Sequence, residues 1–96
     1  MLRAIRESKA VEFEADDGVM LQGRWFGKGP VGVVLSHMGN RANNQSDWFG
    51  MALELADHGF RVLTYNSRGV CPGGQLGCSE RGGGLEDRWL DVLGAV

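Results

Sequence analysis

Few residues of this chain have types and spacings that could do chemistry: His37, His58, Cys71, Cys78 and the glycine-rich run 73–84. His37 lies in VGVVLSHMGN, residues 31–40, where an unbroken apolar run stops abruptly at Ser36, His37, Met38, Gly39 and Asn40. Cys71 and Cys78 flank PGGQLG. A disulfide closing that short loop is sterically allowed, and two reduced thiols are the alternative. A zinc site would need two further ligands, and two scattered histidines do not supply them, so no metal is expected. The glycine run invites a phosphate cradle, but it lacks the Gly-Lys-Ser/Thr ending and follows a strand only after several residues. No nucleotide or other cofactor is expected. His58 falls at a helix C-terminus, where the dipole favours a cation, so a surface or capping role is expected of it.

These residues sit in a chain of 96 with 43% hydrophobic and 23% charged side chains, the composition of one small globular domain spanning 1–96. The net charge of −2 carries no run of one sign, so a nucleic-acid footprint is not expected. No apolar run approaches the ~18–20 residues of a membrane span. The N-terminus, MLRAIRESKAVEFE, lacks the apolar core of a signal peptide. The expectation is a cytoplasmic protein with no membrane contact.

The positioning elements follow from periodicity. Residues 10–15, AVEFEA, alternate apolar and acidic, and 19–26, VMLQGRWF, resume the alternation after Asp16-Asp17-Gly18. That predicts an antiparallel hairpin, with Val19, Leu21, Gly23 and Trp25 on one face. VGVVLSH (31–37) and FRVLTY (60–65) are continuous apolar runs, as in strands covered on both faces. Between them Ser46 offers an N-cap, Asp47 a first-turn acid, and Trp48, Met51, Ala52, Leu55 and Ala56 a helical stripe ending before Gly59. A strand-helix-strand unit with a right-handed crossover results. Leu85, Trp89, Val92, Leu93 and Val96 predict a last helix with that stripe inward and Glu86, Asp87, Arg88 and Asp91 outward. The tryptophans, Trp25, Trp48 and Trp89, are expected in the core or at an interface. The fold class is α/β, with about four strands and two helices.

In this order, SHMGN at 36–40, the helix ALELADHGF and TYNSRGV at 64–70 resemble the N-terminal half of an α/β-hydrolase sheet. The dienelactone-hydrolase-like and related bacterial serine hydrolases are the nearest likeness, over Val11 to Val96. The resemblance implies that His37, Met38 and Gly39 form an oxyanion loop, with backbone N–H groups near Met38 and Gly39 facing an oxyanion. It also implies a nucleophile on a Gly-x-Ser-x-Gly elbow after a further strand. Gly77-Cys78-Ser79-Glu80-Arg81 has arginine where the second glycine belongs, and Asn66 stands where that family has aspartate. A complete Ser-His-acid triad cannot be assembled from matching positions, so the oxyanion loop reads as a relic.

The implied sheet order places the hairpin outermost, then FRVLTY, then VGVVLSH, whose outer edge lacks a neighbour. An edge of that kind invites another chain. The expected partner is a second copy, paired antiparallel through the 31–37 edge as a two-fold homodimer. A chain without hydrolase activity by itself is the leading expectation. One alternative is a small dimeric binding protein whose SHMGN and CPGGQLGC loops form a cleft for an unknown small molecule. Another is a weak esterase.

Overall fold

The Asp16-Asp17-Gly18 turn works as its composition predicts. Gly18 takes φ 90° and its N–H donates to the Ala15 carbonyl at 2.9 Å. The computed structural model of the chain describes residues 2–37, 43–83 and 87–96. The turn joins β1 (Ser8–Glu14) to β2 (Met20–Phe26) antiparallel, in register from Ser8↔Phe26 to Glu14↔Met20. β4 (Arg61–Tyr65) pairs antiparallel with β2, and β3 (Gly32–Leu35) pairs parallel with β4. The sheet order β1-β2-β4-β3 is the one the resemblance implied.

Both faces of this mixed sheet are covered, which is why β4 reads as a continuous apolar run. On one face Phe26 and Val62 pack with Ala4, Phe49 and Ala52. On the other, Leu21 and Tyr65 pack with Ala15 and, edge to face, with the Phe13 ring at 5.4 Å. Phe26 is therefore as deeply buried as Leu21 on the opposite face, and the single inward face expected for β2 becomes two.

The helices depart from expectation in instructive ways. A one-turn helix, α1 (Leu2–Arg6), precedes the hairpin, so the described residues form three α-helices where about two were expected. Ala4 buries against Phe26, while Arg3 pairs with Glu7 at 2.6 Å and with Asp57 at 3.1 Å. The entry to the middle helix is a 3-10 turn capped by Asn44 rather than a helix capped at Ser46. Asn44 Oδ1 accepts from the Ser46 N–H at 2.9 Å and from its hydroxyl at 2.6 Å, which leaves the Ser46 side chain unable to cap. The 3-10 turn, Gln45–Trp48, then leads into α2 (Phe49–Asp57). Gly59, at φ 92°, ends α2 with a Schellman pair, Gly59 N–H to Ala56 O and Phe60 N–H to Leu55 O, both 3.1 Å. Met51, placed on the inward stripe by its spacing, is exposed.

The last helix, α3 (Arg88–Ala95), is turned over. Arg88 and Asp91 are fully buried, whereas Trp89, Leu93 and Val96 are exposed. Asp91 points inward because Arg68 lies beneath it. Gly94 permits the close approach of α3 to the hairpin, since a Cβ there would run into the Glu14 carbonyl and Ala15. β3 is also shorter than the seven residues expected of 31–37. Ser36 and His37 leave the ladder because the His37 carbonyl is taken by Ser67 and Arg88.

Candidate functional site

In parallel α/β sheets, sites form beyond the carboxyl ends of the strands. Here the tips of β3 and β4 are tied to each other by side chains of the Asn66-Ser67-Arg68 segment, all three nearly inaccessible to solvent. Ser67 Oγ donates to the His37 carbonyl at 2.6 Å. Asn66 Oδ1 accepts from the Gln45 N–H at 2.9 Å, and its Nδ2 donates to the Leu76 carbonyl at 2.6 Å. One amide thus fixes the entry to α2 and the loop 71–78 together.

Arg68 is the charged centre of this arrangement. Its N–H and Nε donate to the two Asp91 carboxylate oxygens at 2.9 and 2.8 Å. Its two terminal nitrogens donate to Asp17 at 2.9 and 2.8 Å, and one of them also to the Gly82 carbonyl at 3.0 Å. The hydrogen bonds to Asp17 first, then Asp91, hold the guanidinium proton above its ordinary range, against the opposing pull of burial. Asp17 is held below the usual carboxylate range by the same bond from Arg68. Tyr65 sits beside this network, and burial pushes its phenol up to about 12. The Asp91 charge adds to that shift, while Ser36, near the hydroxyl though not aligned as a hydrogen bond, and Arg88 oppose it.

The His37 imidazole stacks on Trp48, with ring centroids 5.1 Å apart and planes at 30°. Its Nε2 lies 3.1 Å from an Asp47 oxygen, close enough for an ion pair when protonated but outside hydrogen-bond alignment. Met38 and Gly39, the other members of the expected oxyanion loop, lie outside the described residues.

Solved structures share this fold. An epoxide hydrolase of Vigna radiata matches with TM-score 0.62 and 20% identity, over 85% of this chain and 22% of that one. An α/β hydrolase of Novosphingobium aromaticivorans matches with TM-score 0.63 and 20% identity, over 93% and 30%. An α/β hydrolase of a Penicillium species gives 0.67 and 21%, over 90% and 29%. The fold is that of an N-terminal part of an α/β hydrolase. At these identities the likeness is one of fold alone, and the chain spans less than a third of each of those structures. No family model and no curated protein matches it.

Within this α/β-hydrolase scaffold the sequence-marked residues separate into two groups. His37 and the TYNSRGV segment meet at the strand tips, as their joint order implied. His58 lies at the far end of α2, its Nδ1 2.8 Å from the Glu54 carbonyl. Ser79 is a structural pin: its Oγ donates to the Asn66 carbonyl at 2.6 Å and accepts from the Gln22 N–H at 2.9 Å. Cys71 and Cys78 are joined as a disulfide, and the loop they close folds back over β2, with the Cys78 N–H on Gln22 Oε1 at 3.0 Å. The tryptophans are not core. Trp89 is exposed, Trp48 is half-buried under His37, and Trp25 carries the Arg61 guanidinium 5.1 Å from its ring centroid. Nothing in the sequence marks Asp17, read there as a turn residue, or Asp91 as a partner of Arg68. An arginine in a motif that otherwise reads as buried is the only hint that acids elsewhere must answer it.

Proposed function

We propose that this chain carries the oxyanion-loop side of a hydrolase-type site, has no hydrolase activity by itself, and associates with a second copy through the open edge of β3. The observation that carries the first part is the commitment of Ser67 and Ser79, the two serines packed beside the tip of β4. Both the Ser67 and Ser79 hydroxyls are spent on backbone carbonyls, and His37 faces Asp47 and Trp48 rather than either of them. A nucleophile must be hydrogen-bonded to its base, and neither serine is. Without that pair, oxyanion donors alone do not sustain acyl transfer.

The edge supports the second part. Among the described residues β3 pairs only with β4. The Arg61 N–H donates to the Val31 carbonyl at 2.9 Å, so the backbone groups of 31, 33 and 35 face β4 and those of Gly32 and Val34 face outward. A two-fold axis perpendicular to the strand at this edge would pair the outward groups of both copies antiparallel. With four residues in β3, the shared ladder is shorter than the seven-residue edge expected from the sequence.

Two measurements test the proposal. Wild-type protein is expected to leave p-nitrophenyl butyrate unhydrolysed above the solvent rate; turnover that disappears in His37→Ala would overturn the inactive reading. Sedimentation velocity at micromolar concentration is expected to give a dimer that Val34→Pro and Val31→Lys each convert to monomer. Proline at 34 removes an outward donor without touching the β3–β4 ladder, and a lysine beside the edge blunts it. A wild-type monomer, or dimers unaffected by both folded variants, would refute edge pairing.

A further inference from the structure

At the opposite side of the sheet from that edge, the disulfide-closed loop leaves a cleft of about 300 Å³ between its Gly74–Gly77 turn and the β1–β2 hairpin. Ala10, Glu12, Gln22, Arg24, Gln45 and Leu76 are among its lining residues. Arg24 is the unusual one. It is 7% exposed, and among the described residues its guanidinium donates only to neutral acceptors: Ser8 Oγ at 2.6 Å, the Gln75 carbonyl at 2.9 Å and the Ile5 carbonyl at 3.3 Å. Arg68, the comparable buried arginine, has two carboxylates; among the described residues Arg24 has none. Burial alone lowers its proton affinity, with no acid acting to restore it. A buried guanidinium with no counter-charge is costly, and among the described residues three of its five N–H donors are used.

We propose that this cleft is a binding site for a small organic monocarboxylate. The carboxylate takes the two N–H groups of Arg24 that have no acceptor among the described residues, and the aliphatic body lies against Ala10 and Leu76. Planar two-oxygen acceptors are what a guanidinium fork recognises best. The charge of the lining selects one negative charge over two. Arg24 is the single cation among its described lining residues, and the exposed Glu12, held at 3.0 Å by Gln22 Nε2, repels a dianion such as phosphate. The site does not depend on the β3 edge, because β1 and β3 are the two opposite margins of the sheet.

Isothermal titration of the full chain with sodium butyrate and sodium hexanoate, alongside butyramide and inorganic phosphate, tests it. Both acids are expected to bind, hexanoate more tightly, and butyramide and phosphate to give no heat. Glu12→Gln is expected to tighten butyrate binding several-fold, and Arg24→Met to abolish it. Should Arg24→Met fail to fold, amide shifts in the wild type decide instead. Butyrate is expected to move the resonances of Gly23, Gln75 and Gly77. Silence from both acids, equal binding of butyramide, a preference for phosphate, shifts clustered elsewhere, or butyrate binding retained in folded Arg24→Met would each overturn the assignment.

Discussion

Replacing Asp91 by leucine removes half of a buried ion pair while keeping a side chain of similar bulk. Asp91 is wholly inaccessible, and its oxygens accept from the Arg68 N–H and Nε at 2.9 and 2.8 Å. Leucine leaves the Arg68 guanidinium, itself 3% exposed, with the Gly82 carbonyl and one described carboxylate, Asp17, whose side chain is 37% exposed. Removing one partner of a buried pair costs about 3–5 kcal/mol, because the other charge stays behind. A domain of this length holds roughly 5–14 kcal/mol in all, at about 0.05–0.15 kcal/mol per residue. The substitution therefore consumes about a fifth of the stability at the least. Asp91→Asn keeps an acceptor for the Arg68 amide and is expected to cost less than Asp91→Leu. Asp17→Asn, at a half-exposed carboxylate, is expected to cost less again. Urea unfolding followed by circular dichroism gives the midpoints, with unchanged slopes showing that compactness is preserved. If Asp91→Leu lies within about 1 kcal/mol of wild type, or Asp17→Asn costs more than Asp91→Asn, Arg68 is not the hub described.

Two further predictions use the only tyrosine and the only disulfide. Burial raises the Tyr65 phenol to about 12 from an unfolded value of about 10. Its contribution to stability is thus whole below pH ~10 and is lost as pH rises through the folded value. Phenolate absorbance is expected only near pH 12 or on unfolding, and Tyr65→Phe is expected to remove this alkaline sensitivity; a midpoint near 10 in folded protein would contradict it. Reduction of Cys71–Cys78, which are separated by 7 in sequence, is expected to cost about 2–3 kcal/mol by the loop-entropy relation. Urea midpoints with and without a phosphine reductant measure that cost. The Cys71→Ser/Cys78→Ser variant should match the reduced wild type, and free thiols in the denatured, unreduced protein would count against the bond.

The sheet was legible because its signals are local or nearly so. Alternation around Asp17-Gly18 sets the hairpin, and two apolar runs with a helix between them dictate the parallel pair. The pairing of SHMGN with TYNSRGV was legible from their order, and Ser67 on the His37 carbonyl is its physical form. α3 was misread for an equally physical reason. A stripe of Trp89, Leu93 and Val96 outweighs two charges in any periodicity count, but the two charges answer Arg68 and the His37 carbonyl, and a buried arginine without an acid is worse than an exposed tryptophan. Ser46 was a sound cap by type, and Asn44 won because its amide reaches both the Ser46 N–H and hydroxyl. The cleft at Arg24 had no sequence signal at all, since it depends on where a loop folds back.

Arg68 also orders events in time. Its partners lie 51, 23 and 14 residues away along the chain, at Asp17, Asp91 and Gly82. The β1–β2 hairpin closes by a three-step turn, whereas the hub must wait for the hairpin, β4 and α3 all to arrive, with loop entropy spent on each. Contacts that assemble after the rate-limiting step leave the folding rate alone and govern how fast the native state comes apart. Asp91 substitutions are accordingly expected to speed unfolding with little change in refolding, so that the hub acts as the latch on a fold whose hairpin is the seed.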